Sequence, residues 1–272
     1  KDISIKVNNI AIYRKIFSKL NLDEQKQEHL LHLIDKNMKE EALKELKDTE
    51  YFELISFLLE QDNVSLSSFD EIIKEISKYE ELGLKEEIER LKIISKLISD
   101  LNFSVNVNLG FVRGLAYYTG IIFEVTHPKV PFSIAGGGRY DTLIKLYGGN
   151  DTPAIGFAVG VERTALVIDK INMASSQKRG VMILLSDDTE LISYGIKILN
   201  RLRDAGLQIT LNLKEQNMSK LIPFYLEEGY SFMIIIGKKE FEERKVTVKN
   251  LENKNQVSIS ENNLEDYVKQ II

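Results

Sequence analysis

Arg113-Gly114-Leu115-Ala116-Tyr117-Tyr118-Thr119-Gly120-Ile121-Ile122-Phe123-Glu124-Val125 lies in the segment, 101–170, over which the chain leaves helical periodicity for strand periodicity. An arginine beside a glycine and two adjacent tyrosines lead through Gly120 into an apolar run. Ile121–Val125, rich in β-branched and aromatic residues, predicts a strand. Arg113 offers a planar fork of donors that fits carboxylate or phosphate. Tyr117 and Tyr118 offer rings with hydroxyls that can fix a polar ligand group. Taken alone, the same string also fits a plain turn into a strand, with the tyrosines as packing.

Working outward, the neighbouring segments continue the strand pattern. Val105-Asn106-Val107-Asn108-Leu109 alternates with period two. Ser133-Ile134-Ala135 is a short strand that runs into Gly136-Gly137-Gly138-Arg139-Tyr140-Asp141. Tyr140 to Tyr147 has helical spacing and stops at Gly148-Gly149. Ala154-Ile155-Gly156-Phe157-Ala158-Val159-Gly160 is a strand, and a helix opens at Val161-Glu162-Arg163. This order predicts neighbouring antiparallel strands rather than βαβ crossovers. Residues 101–170 hold ten of the 16 glycines and three of the four prolines, which marks a region of turns or of close backbone approach to a ligand. Arg113, Arg139 and Arg163 lie in glycine-rich settings in a segment with only six basic residues. Cationic forks with open backbone suit an anionic, phosphate-bearing ligand. Gly136–Gly138 lacks the Lys-Ser/Thr ending of a phosphate loop and the spacing of a dinucleotide fingerprint. Arg139 and Asp141 can pair with each other or with a ligand, and Glu162-Arg163 alone is also an ordinary helix-start charge pair.

The flanks divide cleanly. An opening strand at Ile3–Asn8 precedes a helical bundle over 24–99. Leu30, Leu31, Ile34 and Met38 form one apolar face, and Phe69, Ile72, Ile73 and Ile76 form another after a predicted cap at Ser67-Ser68. After a polar linker at Ser175–Lys178 come three strands alternating with two helices, then a hairpin-like pair at Lys245–Lys249 and Gln256–Ile259, then a helix from Leu264 to Ile271. That start implies a sheet with parallel strands covered by helices.

Composition narrows the function classes. With 272 residues, 43% hydrophobic and 28% charged, the chain is globular and long enough for two domains. The absence of Cys removes disulfides, thiolate metal sites and a thiol nucleophile, and three His make a multi-His metal cage improbable. No apolar run approaches the roughly 20 residues of a membrane span. Lys1-Asp2-Ile3-Ser4-Ile5-Lys6 is no signal peptide, so the expectation is a soluble cytoplasmic protein without membrane contact. The start without Met, already in strand pattern, suggests a chain that begins inside a domain. Residues 1–100 carry 16 basic and 22 acidic residues (−6), 101–170 carry 6 and 5 (+1), and 171–272 carry 14 and 14 (0). Charge therefore neither announces nor excludes nucleic-acid binding. His127 before Pro128 reads as a loop residue rather than a base.

Arg113–Gly120 with Phe123-Glu124 resembles the histidine-specific signature of the histidyl-tRNA synthetases, a class II aminoacyl-tRNA synthetase family. Ala135–Asp141 resembles that family's second histidine-binding signature, and Gly156–Arg163 resembles class II motif 3. Ile236-Gly237, Glu240 and Val246–Leu251 are similar to the family's C-terminal domain, and the helical block with Leu33-Ile34-Asp35-Lys36 is similar to its insertion. The resemblance implies an α+β fold: part of a class II antiparallel catalytic sheet, six-stranded in the family, with a helical insertion, followed by an α/β anticodon-binding domain. The expected domains are a catalytic segment at 1–23, the helical insertion at 24–99, the catalytic core at 100–173 and the anticodon-binding domain at 178–272.

It further implies a histidine–tRNA ligase that activates L-histidine with ATP and Mg²⁺, then passes the histidyl group from histidyl-adenylate to tRNA(His), as a homodimer when full length. Carried over by position, Arg113 is the catalytic arginine. Arg113, Tyr117, Tyr118, Gly136, Gly137 and Gly138 would bind histidine and adenylate, Arg163 and Gly160 would bind ATP, and no resident metal site is implied. The chain departs from the family at Ala116, where Asp is usual, and in lacking motifs 1 and 2, which would lie upstream of Lys1. A partial synthetase, not fully active alone, is the expectation. The rival is a synthetase-like histidine or tRNA sensor, or a regulatory subunit of histidine biosynthesis. Such subunits generally lack the C-terminal domain present here. Lys214, Gln216, Asn217 and Lys220 are candidates for anticodon contact and equally ordinary surface residues. Glu124 is a candidate Mg²⁺ ligand.

Overall fold

The computed structural model describes residues 2–113, 117–168, 178–213 and 217–271. The chain forms two compact units, 1–170 and 171–272.

In the first unit, β1 (Ser4–Asn9) leads into α1 (Ala11–Lys19), which buries Ile12, Tyr13, Ile16 and Phe17. That spacing makes one apolar helix face. The helices that follow are α2 (Glu24–Asp35), α3 (Lys39–Leu46), α4 (Phe52–Glu60), α5 (Phe69–Ile76) and α6 (Lys85–Asp100). Asp23 caps α2 by accepting from the Lys26 amide at 2.8 Å. The predicted cap on α5 is absent. Ser68 already has helical backbone angles and no capping bond, and its hydroxyl pairs with Ser65 Oγ instead. Met38 lies beyond the end of α2 and is exposed. The helices share one buried cluster with the sheet, running from Val7 through Phe17, Leu58, Phe69 and Leu91 to Ile122.

The sheet adds β2 (Ser104–Val107), β3 (Ile121–Thr126), β4 (Ala135–Arg139) and β5 (Ile155–Val159), in the order β2-β1-β3-β4-β5. Short helices α7 (Leu143–Leu146) and α8 (Val161–Ala165) flank β5. The pairings β1/β3, β3/β4 and β4/β5 are antiparallel, as expected. β1/β2 is parallel, with Ser4 opposite Ser104, which corrects the all-antiparallel expectation. Parallel neighbours need a long crossover, and α1–α6 provide it. Five strands form this sheet among the described residues, in keeping with part of a larger catalytic sheet.

The second unit contains β6 (Arg179–Leu184), α9 (Thr189–Asp204), β7 (Gln208–Asn212), α10 (Met218–Glu227), β8 (Tyr230–Ile236), α11 (Lys238–Glu243), β9 (Lys245–Asn250), β10 (Gln256–Ser260) and α12 (Leu264–Ile271). Its sheet runs β10-β9-β8-β6-β7, with β6 parallel to β7 and β8 and the outer pairs antiparallel. The expected βαβαβ start and hairpin are present, and α11 is additional. One apolar layer joins Met182, Leu184 and Ile234 to α9 and α12. A second, through Val181, Ile183 and Met233, takes Leu221 and Tyr225 of α10. Helices therefore cover both faces of the sheet.

Candidate active site

Register decides which side chains meet. Glu124, Gly136 and Ala158 are opposite one another across β3, β4 and β5, and so are Ile122, Gly138 and Gly156. Successive strand residues point to opposite faces. Glu124, Gly136, Gly138 and Gly156 thus share one face, while Phe123, Arg139 and Ile155 occupy the other.

On the first face, Asn8 anchors the approach to Arg113: its buried Nδ2 donates to the carbonyls of Leu109 (2.9 Å) and Phe111 (2.6 Å). Arg113 Nη1 donates to the Phe123 carbonyl at 3.2 Å and lies 3.6 Å from Glu124 Oε1. A guanidinium has five N–H donors, so this docking leaves several for a ligand. Beside it, Tyr117 lies 4.7 Å from Tyr118 and 5.6 Å, edge-on, from Tyr140 between ring centroids. Arg14 Nε donates to the Tyr118 carbonyl at 2.9 Å. Burial, reinforced by the Tyr117 hydroxyl, pushes the Tyr118 phenol up to about 12. Tyr118 is therefore a protonated donor at neutral pH. Tyr140, at the end of the glycine string, carries no role in the sequence pattern; the fold brings its ring into this cluster.

The glycines are crowded. A Cβ at Gly136 would lie 1.9 Å from Arg113 Nη1, and one at Gly138 would lie 2.6 Å from the Ile121 carbonyl and 2.9 Å from the Tyr118 ring. A Cβ at Gly137 would lie 2.2 Å from the Gly156 carbonyl, and one at Gly156 would lie 2.2 Å from the Tyr140 hydroxyl.

The three arginines do not converge. Arg139 Nε donates to both Asp141 carboxylate oxygens, at 3.0 and 2.8 Å. Thr119 Oγ1 accepts from the Asp141 amide and fixes that pair. Arg139 and Asp141 border a cavity of about 970 Å³ with Phe123, α1 and α6 on the reverse face. Arg163 Nη1 donates to the Ser133 carbonyl at 2.9 Å, and its guanidinium sits 5.1 Å from the Phe132 ring centroid. Gly160, at the start of α8, donates its amide to the Ile134 carbonyl at 2.8 Å. His127 Nδ1 accepts from the Lys129 amide, as a turn residue does. In the second unit, Asn217 caps α10 through the Ser219 amide, and Lys220 borders a groove with Leu213 and Phe224. Ala116, Lys214 and Gln216 lie outside the described residues. Among the described residues, no group of three or more His, Asp or Glu is placed to hold a metal ion. No described helix is long and apolar enough to cross a membrane.

A sheet with an arginine and tyrosines on one face is thus followed in the chain by a separate α/β unit. The family model described as histidyl-tRNA synthetase matches residues 1–164, and that described as anticodon binding domain matches 179–271. The chain belongs to the histidyl-tRNA synthetase family. It is 51% identical over 271 residues to a histidine–tRNA ligase of Sulfurisphaera tokodaii, covering 99% of this chain and 63% of that one. It is 50% identical over 266 residues to that of Sulfolobus acidocaldarius, covering 97% and 62%. The chain thus spans less than two thirds of the length of these relatives. A crystal structure of histidyl-tRNA synthetase from Nostoc sp. PCC 7120 aligns with a TM-score of 0.48 at 23% identity, covering 100% of this chain and 66% of that one.

Proposed function

We propose that the chain carries the histidine-signature part of the active site, and the anticodon-binding domain, of a histidine–tRNA ligase. The observation that carries this reading is Arg113 on the glycine face beside the tyrosine cluster, in a chain of this family. In the first step, the carboxylate of histidine attacks the α-phosphorus of ATP and pyrophosphate leaves. Arg113, steadied by the Phe123 carbonyl and Glu124, directs its remaining donors at the charge that develops between carboxylate and α-phosphate. Positioning and electrostatics supply most of the catalysis when phosphorus is attacked. Tyr117, Tyr118 and Tyr140 form the imidazole pocket, with Tyr118 donating. Arg163 and Gly160 hold the triphosphate end of ATP. In the second step, a terminal ribose hydroxyl of tRNA(His) attacks the acyl carbon and AMP leaves.

Glu124 is already engaged by the Arg113 guanidinium, so Mg²⁺ would be held chiefly by phosphate oxygens and water rather than by this carboxylate. Mg²⁺ would offset phosphate charge. The full-length protein works in this reading as a cytoplasmic homodimer.

The test is histidine-dependent ATP–pyrophosphate exchange, on this chain and on a version extended to the length of its relatives, with other amino acids as controls. Activity confined to the extended version is expected, and Arg113→Ala there should lower kcat by roughly 10²–10³-fold. No exchange in either version, with histidine or tRNA binding retained, would replace the ligase with a sensor.

A further inference from the structure

The four crowded glycines divide by what crowds them. At Gly137 and Gly138 the nearest obstacle is backbone: the Gly156 carbonyl at 2.2 Å and the Ile121 carbonyl at 2.6 Å. Neither can yield without distorting the sheet. At Gly136 and Gly156 the nearest obstacle is the tip of a site side chain, Arg113 Nη1 at 1.9 Å and the Tyr140 hydroxyl at 2.2 Å, with the Phe123 carbonyl farther off at 3.1 Å from the Gly136 position. These tips can yield, and they would yield by leaving the site. An added methyl at Gly136 would lift the guanidinium off the Phe123 carbonyl. One at Gly156 would turn Tyr140 out of its edge-on contact with Tyr117.

We propose that Gly136 and Gly156 are positioning residues: their missing side chains aim Arg113 and Tyr140, whereas Gly137 and Gly138 keep β4 paired. The inference rests on the functional reading above only for what the aimed side chains do. Gly156 acts from β5 on a tyrosine that follows β4, so the match to motif 3 and the second histidine signature would be coupled at one contact.

The test has a ligand-free arm and a catalytic arm. In the chain as it stands, Gly156→Ala and Tyr140→Phe are combined in a double-substitution cycle, read by thermal midpoint and near-UV circular dichroism. The chain has no Trp, so tyrosines dominate that spectrum. Gly156→Ala should alter both readouts when Tyr140 is present and have at most half that effect beside Phe, which lacks the colliding oxygen. Equal effects in both backgrounds, or none in either, would overturn the proposal. In the extended protein, Gly136→Ala should lower the kcat of pyrophosphate exchange by about tenfold or more, since small misplacements cost that much. Its midpoint should stay near the parent's. An unchanged kcat would overturn the Arg113 half. If the unsubstituted extended protein lacks exchange, the functional reading fails, while the ligand-free cycle still decides the positioning claim.

Discussion

Arg113 and Arg139 have the same side chain, and their partners give them different work. Arg139 spends its Nε on both oxygens of Asp141 and is a strut between β4 and the turn that follows. Arg113 has one carbonyl contact and a carboxylate at 3.6 Å, so its fork stays open to the site. The parity of β4 separates them, and that parity also sorts the glycines beneath. Gly138→Ala forces a methyl against the Ile121 carbonyl and should destabilise the first unit by about 1–3 kcal/mol, the usual cost of overpacking. Gly136→Ala, opposed by a movable side chain, should cost less than about 1 kcal/mol. Urea denaturation of the two variants checks the order, and a reversed order would refute the distinction. The glycine run was legible in the sequence as part of a site. Which glycine serves the backbone and which serves a side chain was not, because that depends on the pairing with β3 and β5.

Elements whose faces are set by local periodicity were legible; those set by distant partners were not. The β6-to-β8 alternation and the hairpin β9–β10 follow from apolar spacing and turn residues. The parallel β1/β2 pair does not, because its partners are a hundred positions apart. The junction of β1, α1 and α6 shows the same limit. There the buried carboxylate of Glu87 accepts from Asn9 Nδ2 at 2.8 Å and meets Lys15 at 3.0 Å and Arg90 at 3.3 Å. Burial alone would raise its pKa, but Lys15, Asn9 and Arg90 together outweigh burial and hold it below the usual carboxylate range. A carboxylate with a depressed folded pKa stabilises above its unfolded pKa of about 4.3 and loses that stabilisation as pH falls through the folded value. Glu87→Gln should therefore lower the thermal midpoint at neutral pH, with a gap to the parent that narrows below about pH 4. A gap that stays constant from neutral to acid would show that the ionised form contributes nothing.

Across the whole molecule, the buried cores divide the chain into two units at residue 170. The second unit packs apolar layers on both faces of its own sheet, one with α9 and α12, the other with α10. Asp188 caps α9 by accepting from the Glu190 and Leu191 amides. A domain of this size with helices on both faces can bury enough surface to fold alone. Residues 178–272, expressed alone, should unfold in a single cooperative transition seen equally by far- and near-UV circular dichroism. Residues 171–272 carry 14 basic and 14 acidic residues, so any grip on RNA rests on a few local phosphate contacts rather than on net charge. Binding of tRNA(His) by 178–272 should weaken with salt along a shallow log–log slope, about one unit or less per phosphate engaged. It should also fall when the anticodon is replaced, since phosphate contacts carry no sequence information. Equal binding of tRNA(His) and an anticodon-replaced tRNA would mean that the domain grips the backbone without reading it, and selection of the tRNA would then have to come from the rest of the protein.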